Sequence, residues 1–204
     1  MKLIVSPHVD DEVLGCGGIL CSDCYVLHLG LSENQMHGNK NFTKDERLEE
    51  FSVLADRAGI VGNTVLNHPV NNYRQQDLIG DIEKFINKIK PDEIYLPHPS
   101  YNQDHRECYE ASLVALRPHD VNHFVRKVFV YEQPQVLWNH NYREFKPTYY
   151  KSIDIDRKID LYLCMKSQVR NFRSPECIKA LAKIRGSQSR FDYAEAFEIL
   201  RYVS

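Results

Sequence analysis

Ser6-Pro-His-Val-Asp-Asp-Glu12 sets one histidine and three carboxylates between a short apolar run, Leu3-Ile4-Val5, and a helix-like segment. Clustered like charges repel one another and are costly to bury, so such a stretch makes poor scaffolding. A cation removes that difficulty, which points to metal chemistry. A second cluster, His98-Pro-Ser-Tyr-Asn-Gln-Asp-His105, follows another short apolar run, Glu93-Ile-Tyr-Leu-Pro97. Together the clusters suggest one site assembled from two loops.

A hydrolytic zinc site takes three protein ligands, commonly His and carboxylate, and keeps a further position for water. It also needs a base within reach of that water. His8 and Asp11 have a spacing that a turn entering a helix can converge on one ion, and His105 can supply a third ligand from the second loop. Asp10, adjacent but pointing elsewhere, is then free to take a proton. Either cluster alone reads as well as a capped helix start; their occurrence at two strand ends favours the site. Asp104 can orient a histidine from behind, or cap the helix that follows it. Zinc suits this donor set, and so do iron and manganese.

The elements that must position these residues alternate. Strands are expected at Lys2–Ser6, Tyr25–Gly30, Val61–Asn67, Glu93–Pro97, Lys127–Glu132 and about Tyr149–Ile155. Helices are expected at Glu12–Cys24, Lys44–Ala58, Asp77–Ile89 (with Asp77 as its cap), Asp104–Leu116, Arg157–Gln168 and Pro175–Lys183. Thr43-Lys-Asp-Glu46 forms a capping box, Gly59 suits a C-cap, and Leu31–Phe42 reads as a polar loop. Gly15, Gly17 and Gly18 would let the first helix approach the sheet closely. Repeated β-α-β units imply an α/β fold: a Rossmann-like, three-layer α/β/α arrangement with a mostly parallel sheet. Ligands in such sheets bind beyond the carboxyl ends of the strands, where both clusters fall.

The chain has 204 residues, is 43% apolar and 26% charged, and has a net charge of -2. These values fit a single domain, 1–204, with a sizeable core, and no basic footprint for nucleic acid. No apolar run reaches the roughly 18 residues of a membrane span. The start reads straight into a strand, so a cytoplasmic location is expected. Cys21-Ser-Asp-Cys24 has CxxC spacing, but no second pair completes a structural zinc site, and free thiols are the simpler expectation.

Residues 6–18, Ser-Pro-His-Val-Asp-Asp-Glu-Val-Leu-Gly-Cys-Gly-Gly, resemble the opening motif of the PIG-L/LmbE-like deacetylase family. His98-Pro with Asn102-Gln-Asp-His-Arg106 resembles its second motif. Arg47, Glu50, Ala55 and Gly59 fit its first long helix, and Lys166-Ser-Gln168, Arg185-Gly186 and Tyr193-Ala-Glu-Ala-Phe197 are similar to its C-terminal pattern. The resemblance implies a zinc-dependent hydrolase that removes acetyl groups from N-acetylated amino sugars, with His8, Asp11 and His105 as metal ligands and Asp10 as base. Val9 departs from the family's usual proline. Asn102 stands where many members carry a second histidine that assists the transition state. His98 can replace it from the same loop, or Asn102 can donate a neutral hydrogen bond to the oxyanion. The resemblance also implies that Arg47 holds sugar hydroxyls, although an ordinary helix arginine fits the same position; Arg74 has a weaker claim.

The expected partner is a small N-acetylated sugar, with Asn71–Gln76 and Glu132–Pro147 as specificity elements. Trp138, His140 and Tyr142 would stack on a sugar or pack a contact within a homo-oligomer. A metal-dependent amidase acting on another N-acyl compound is the second reading. A non-catalytic sugar or nucleotide binder is the third; Asp10-Asp11-Glu12 would repel a pyrophosphate at the turn where it should sit.

Overall fold

The five parallel strands β1 (Lys2–Ser6), β2 (Cys24–His28), β5 (Gly62–Val65), β6 (Glu93–Pro97) and β7 (Lys127–Tyr131) form the body of one sheet. The computed structural model describes residues 1–32, 34–37, 40–134 and 143–204, with backbone alone at 34–37 and 40. The sheet order is β5-β2-β1-β6-β7-β9-β8, where β9 (Ala194–Tyr202) runs antiparallel to both β7 and β8 (Tyr149–Ser152). The expected α/β class and mostly parallel sheet are observed.

Alternation along the strands buries both faces. Ile4, Val26, Tyr95, Phe129 and Phe197 point to one side, against α1 (Asp11–Cys16), α2 (Lys44–Ala58), α5 (Ile155–Tyr162) and α6 (Pro175–Ser189). Leu3, Val5, Leu27, Ile94, Leu96 and Val128 point to the other side, against α3 (Gln75–Ile89) and α4 (Gln103–Ala115). Each fully buried Leu, Ile or Val contributes about 1.5–3 kcal/mol relative to exposure, and the strand centres among them have no exposed surface at all. Three layers follow from this pattern.

The chain leaves β1 on one side of the sheet, through α1 to β2, and returns on β1's other side at β6. α1 then packs on one face and α4 on the opposite face. The carboxyl ends of β1 and β6 thus form a switch point, which leaves a crevice at that edge.

Several elements differ from expectation. The first helix stops at Cys16 because Gly17 and Gly18 follow. The Gly18 N–H is taken by Glu195 Oε1 at 2.8 Å, and a Cβ there would overlap Ile153. The expected loop 31–42 contains an antiparallel hairpin, β3 (Asn34–His37) with β4 (Lys40–Thr43). Asp77 is not a cap: Arg74 holds the N-cap of α3, and Asp77 lies in its first turn, where its charge suits the helix dipole. Nor does Asp104 cap α4; Asn102 does, with its side chain accepting from Asp104 N at 2.9 Å. The helix expected at Arg157–Gln168 ends early, at Tyr162, and gives way to two short 3-10 turns, Lys166–Gln168 and Asn171–Arg173, whereas the helix expected at Pro175–Lys183 runs on to Ser189. The capping box at Thr43 and Glu46 and the left-handed Gly59 are both present.

Candidate metal and catalytic site

His8 sits in the first residues after β1, and His105 lies in the first turn of α4 after β6, so the switch point brings the two clusters together. Asp11 joins them. Its Oδ2 is 3.2 Å from His8 Nδ1 and 3.3 Å from His105 Nε2. One candidate ligand atom from each of the three residues lies within 4.8 Å of the others. Ligands about 2.0–2.2 Å from a tetrahedral zinc are separated by roughly 3.3 Å, so the two shorter edges fit such an ion. The donor set, two imidazoles and a carboxylate, also suits a divalent metal.

The surrounding hydrogen bonds aim these donors. Asp104, with no exposed surface, accepts from His8 Nε2 at 2.9 Å and from Asn71 N at 2.6 Å through the same oxygen. With the His8 proton on Nε2, the Nδ1 lone pair turns toward Asp11, the carboxylate–histidine arrangement common behind metal ligands. Gln133 Nε2 donates to Asp11 Oδ1 at 2.6 Å, and the His8 backbone N–H donates to Asp11 Oδ2 at 2.9 Å. Burial opposes charge on both partners. Even so, Asp104 and Asp11 push His8 up to about 10, and His105 with His8 holds Asp11 well below the usual carboxylate range. These are the marks of a pocket that favours positive charge between its carboxylates.

Asp10 faces the same cavity, with Oδ2 accepting from Arg173 Nη1 at 2.8 Å, and does not belong to the three-residue cluster. The cavity has a volume of about 430 Å³, within the range of small-molecule sites. Asn102 lines it. Because Oδ1 is used by the helix cap, the side-chain amide N–H₂ is what Asn102 can offer a ligand. His98 is not among the lining residues; it is 1% exposed, packs edge-on to Phe145, and is pushed down to about 4 by burial. The structure therefore brings Asn102 to the cavity and holds His98 behind it as a neutral ring.

Arg47, on the first turns of α2, lines the cavity although it is only 2% exposed, and its Nη2 donates to Val9 O at 3.4 Å. Arg74 takes no part in the lining. Asn71 does, held with φ 66° by the bond from its N–H to Asp104. Trp138, His140 and Tyr142 lie outside the described residues. Gln133, Arg170, Phe172 and Arg173 also belong to the site or its support, though no sequence motif singles them out. The last three lie in the short stretch between the helices expected at Arg157–Gln168 and Pro175–Lys183, and two arginines three apart there were the available signal.

Two other features have less to offer chemically. A hollow of about 540 Å³ between α2 and α5 is lined by Glu46, Glu49, Val53 and Leu163 among others, with no histidine among the described residues. Cys21, Asp23 and Cys24 also cluster, but Lys2 Nζ already sits 2.7 Å from Asp23, and all six cysteines are free thiols. His28, the last residue of β2, is a buried histidine whose Nε2 lies 3.0 Å from Glu12 Oε2.

The model of the PIG-L family, described as GlcNAc-PI de-N-acetylase, matches residues 3–116, which include both clusters. No curated protein matches the chain by sequence. Among solved structures, the conserved protein TT1542 from Thermus thermophilus is 24% identical, with a TM-score of 0.79 over 100% of this chain and 95% of that one. The N,N'-diacetylchitobiose deacetylase from Pyrococcus horikoshii is 19% identical, with a TM-score of 0.80 over 98% and 83%. GalB, the 4-carboxy-2-hydroxymuconate hydratase from Pseudomonas putida KT2440, is 20% identical, with a TM-score of 0.78 over 100% and 98%. A deacetylase and a hydratase thus share this fold, and likeness of fold does not choose between their reactions.

Proposed function

The chain belongs to the PIG-L (GlcNAc-PI de-N-acetylase) family, and from that premise we propose that it is a metal-dependent hydrolase that removes the N-acetyl group from an amino sugar or its conjugate. The observation that carries this reading is the convergence of His8 Nδ1, Asp11 Oδ2 and His105 Nε2 beside a separate carboxylate, Asp10, on one cavity wall.

His8, Asp11 and His105 would hold the ion, with zinc the first candidate and iron or manganese compatible with the same donors. When bound, the ion supplies Lewis acidity toward the amide carbonyl and lowers the pKa of water. The remaining steps fall to the chain's own residues. Asp10 takes a proton from the attacking water at its carboxylate oxygen and returns it to the leaving amine, so acetate and a free amine are produced. Arg173 fixes the orientation of Asp10 through the 2.8 Å bond. Asn102 donates its side-chain N–H to the negative charge that develops on the acetyl carbonyl oxygen. Asp104 and Gln133 keep His8 and Asp11 aimed while this happens.

Support over a non-catalytic binder comes from Asp10, a carboxylate at the cavity that the three-residue cluster does not need. The test is acetate release from a panel of N-acetylated sugars by metal-loaded protein, with Asp10→Asn alongside. Release by the wild type and its loss in a variant that still binds metal is the expected result. Full turnover in Asp10→Asn would remove the base assignment.

A further inference from the structure

We propose that the amino sugar taken by this cavity bears an anionic group, a phosphate or a carboxylate, which seats on a cradle formed by Arg47, Arg170 and Arg173. The proposal rests on the deacetylase reading and names the substrate class within it.

The charged residues lining the cavity are Asp10, Asp11 and these three arginines. The carboxylates are already engaged: Asp11 with His8, His105 and Gln133, and Asp10 with Arg173. Among the described residues, Arg47 Nε and Nη1 have no hydrogen-bond partner, and neither does Arg173 Nε. Glu50, the other acidic group that acts on Arg47, spends its oxygens on Ser167 N and Oγ, at 3.0 and 2.6 Å. Burial depresses the Arg47 pKa, and Arg173 and Arg170 push the same way against Asp10 and Glu50. A guanidinium buried among like charges and short of acceptors is an expensive arrangement for a fold to keep.

A sugar hydroxyl can accept a hydrogen bond from such a group but leaves its charge unbalanced. A phosphate or carboxylate does both, and the planar fork of arginine matches its oxygens. The divalent ion proposed for His8, Asp11 and His105 adds positive charge to the same cavity. Phe172, 60% exposed and also in the lining, stands between Arg170 and Arg173 in sequence and offers an apolar face for the ring of the ligand.

The test is calorimetric binding to metal-loaded protein of N-acetylglucosamine, its 1-phosphate and 6-phosphate, and N-acetylmuramic acid as the carboxylate-bearing sugar, at low and high salt. At least one anionic sugar should bind about 10-fold more tightly than the neutral one, as charge-assisted contacts allow, and added salt should narrow that gap. Arg170→Gln, at a partly exposed position, should bring the two within about threefold, and Arg47→Lys should also weaken the preference, since lysine lacks the bidentate fork. Equal binding of neutral and anionic sugars by the wild type would overturn the cradle. So would a preference that survives both substitutions, which would place the anion on the metal. Acetate release in the same samples reports separately on the parent reading. Release without anion preference refutes the cradle alone, whereas preference without release from any sugar keeps the cradle and removes the deacetylase.

Discussion

Asp104→Asn changes one oxygen to nitrogen in a side chain that has no exposed surface, and its effect should appear in the metal rather than in the fold. In the wild type the carboxylate accepts from His8 Nε2 at 2.9 Å, from Asn71 N at 2.6 Å and from Tyr73 N at 3.4 Å. Burial raises the carboxyl pKa, but those bonds, with His8 first, bring it below its ordinary value, so Asp104 holds the His8 proton as an anion. A hydrogen bond to a charged group contributes about 1.5–3 kcal/mol and one to a neutral group about 0.5–1.5 kcal/mol. The neutral amide therefore gives up about 1–1.5 kcal/mol at His8, close to tenfold in affinity. If the amide turns its N–H₂ toward His8, the His8 proton moves to Nδ1 and removes the lone pair that faces Asp11. The combined expectation is a loss of about 10–100-fold in metal affinity, the usual span for a group behind a ligand. Competitive titration of zinc against a chromophoric chelator measures it, with circular dichroism to check that the variant is folded. An affinity within about twofold of wild type, in a folded variant, would refute the role given to Asp104.

Asn102→Asp keeps an acceptor for the α4 cap but removes the amide donor, so kcat should fall about 10²–10³-fold while the thermal midpoint barely moves; an unchanged kcat would free Asn102 of any oxyanion role. His98→Phe fills a similar buried volume behind the cavity, and steady-state kinetics should show kcat within about threefold of wild type, because a residue outside the site makes no transition-state contact. Gly15→Ala would drive a Cβ into the ring of Tyr131, whose hydroxyl is tied to Val5 O at 3.1 Å. Overpacking of that kind costs about 1–3 kcal/mol and should lower the unfolding temperature in a calorimetric scan. Dialysis against a strong chelator should abolish acetate release, and zinc should restore it; activity that persists in verified metal-free protein would contradict the mechanism.

The fold was legible where local pattern and tertiary demand agree. The β1 and β6 strands are continuous apolar runs buried on both faces, and α2 carries a capping box and a glycine stop, so each announces itself in a few residues. β9 was missed because Glu195, Glu198 and Arg201 interrupt its apolar pattern. Those charges are satisfied only by distant partners: Lys158 at 2.7 Å for Glu195, Arg143 and the Lys146 N–H for Glu198, and the Leu116 and Val125 carbonyls for Arg201. The early end of α1 depends likewise on Glu195 reaching across 177 positions of sequence to Gly18. His8, Asp11 and His105 were legible because metal chemistry demands these residue types at strand ends. Gln133, Arg170 and Arg173 were not, since their place follows from where β7 and a pair of short turns end, which no local spacing encodes.

Metal content per chain, measured by elemental mass spectrometry on freshly purified protein with His105→Ala alongside, is the decisive check on the ion held by His8, Asp11 and His105. About one divalent ion per wild-type chain, the stoichiometry of a mononuclear site with three protein ligands, and its loss in the variant are the expected results. A wild-type protein that carries no metal and takes up none on titration with zinc, iron or manganese would contradict that site.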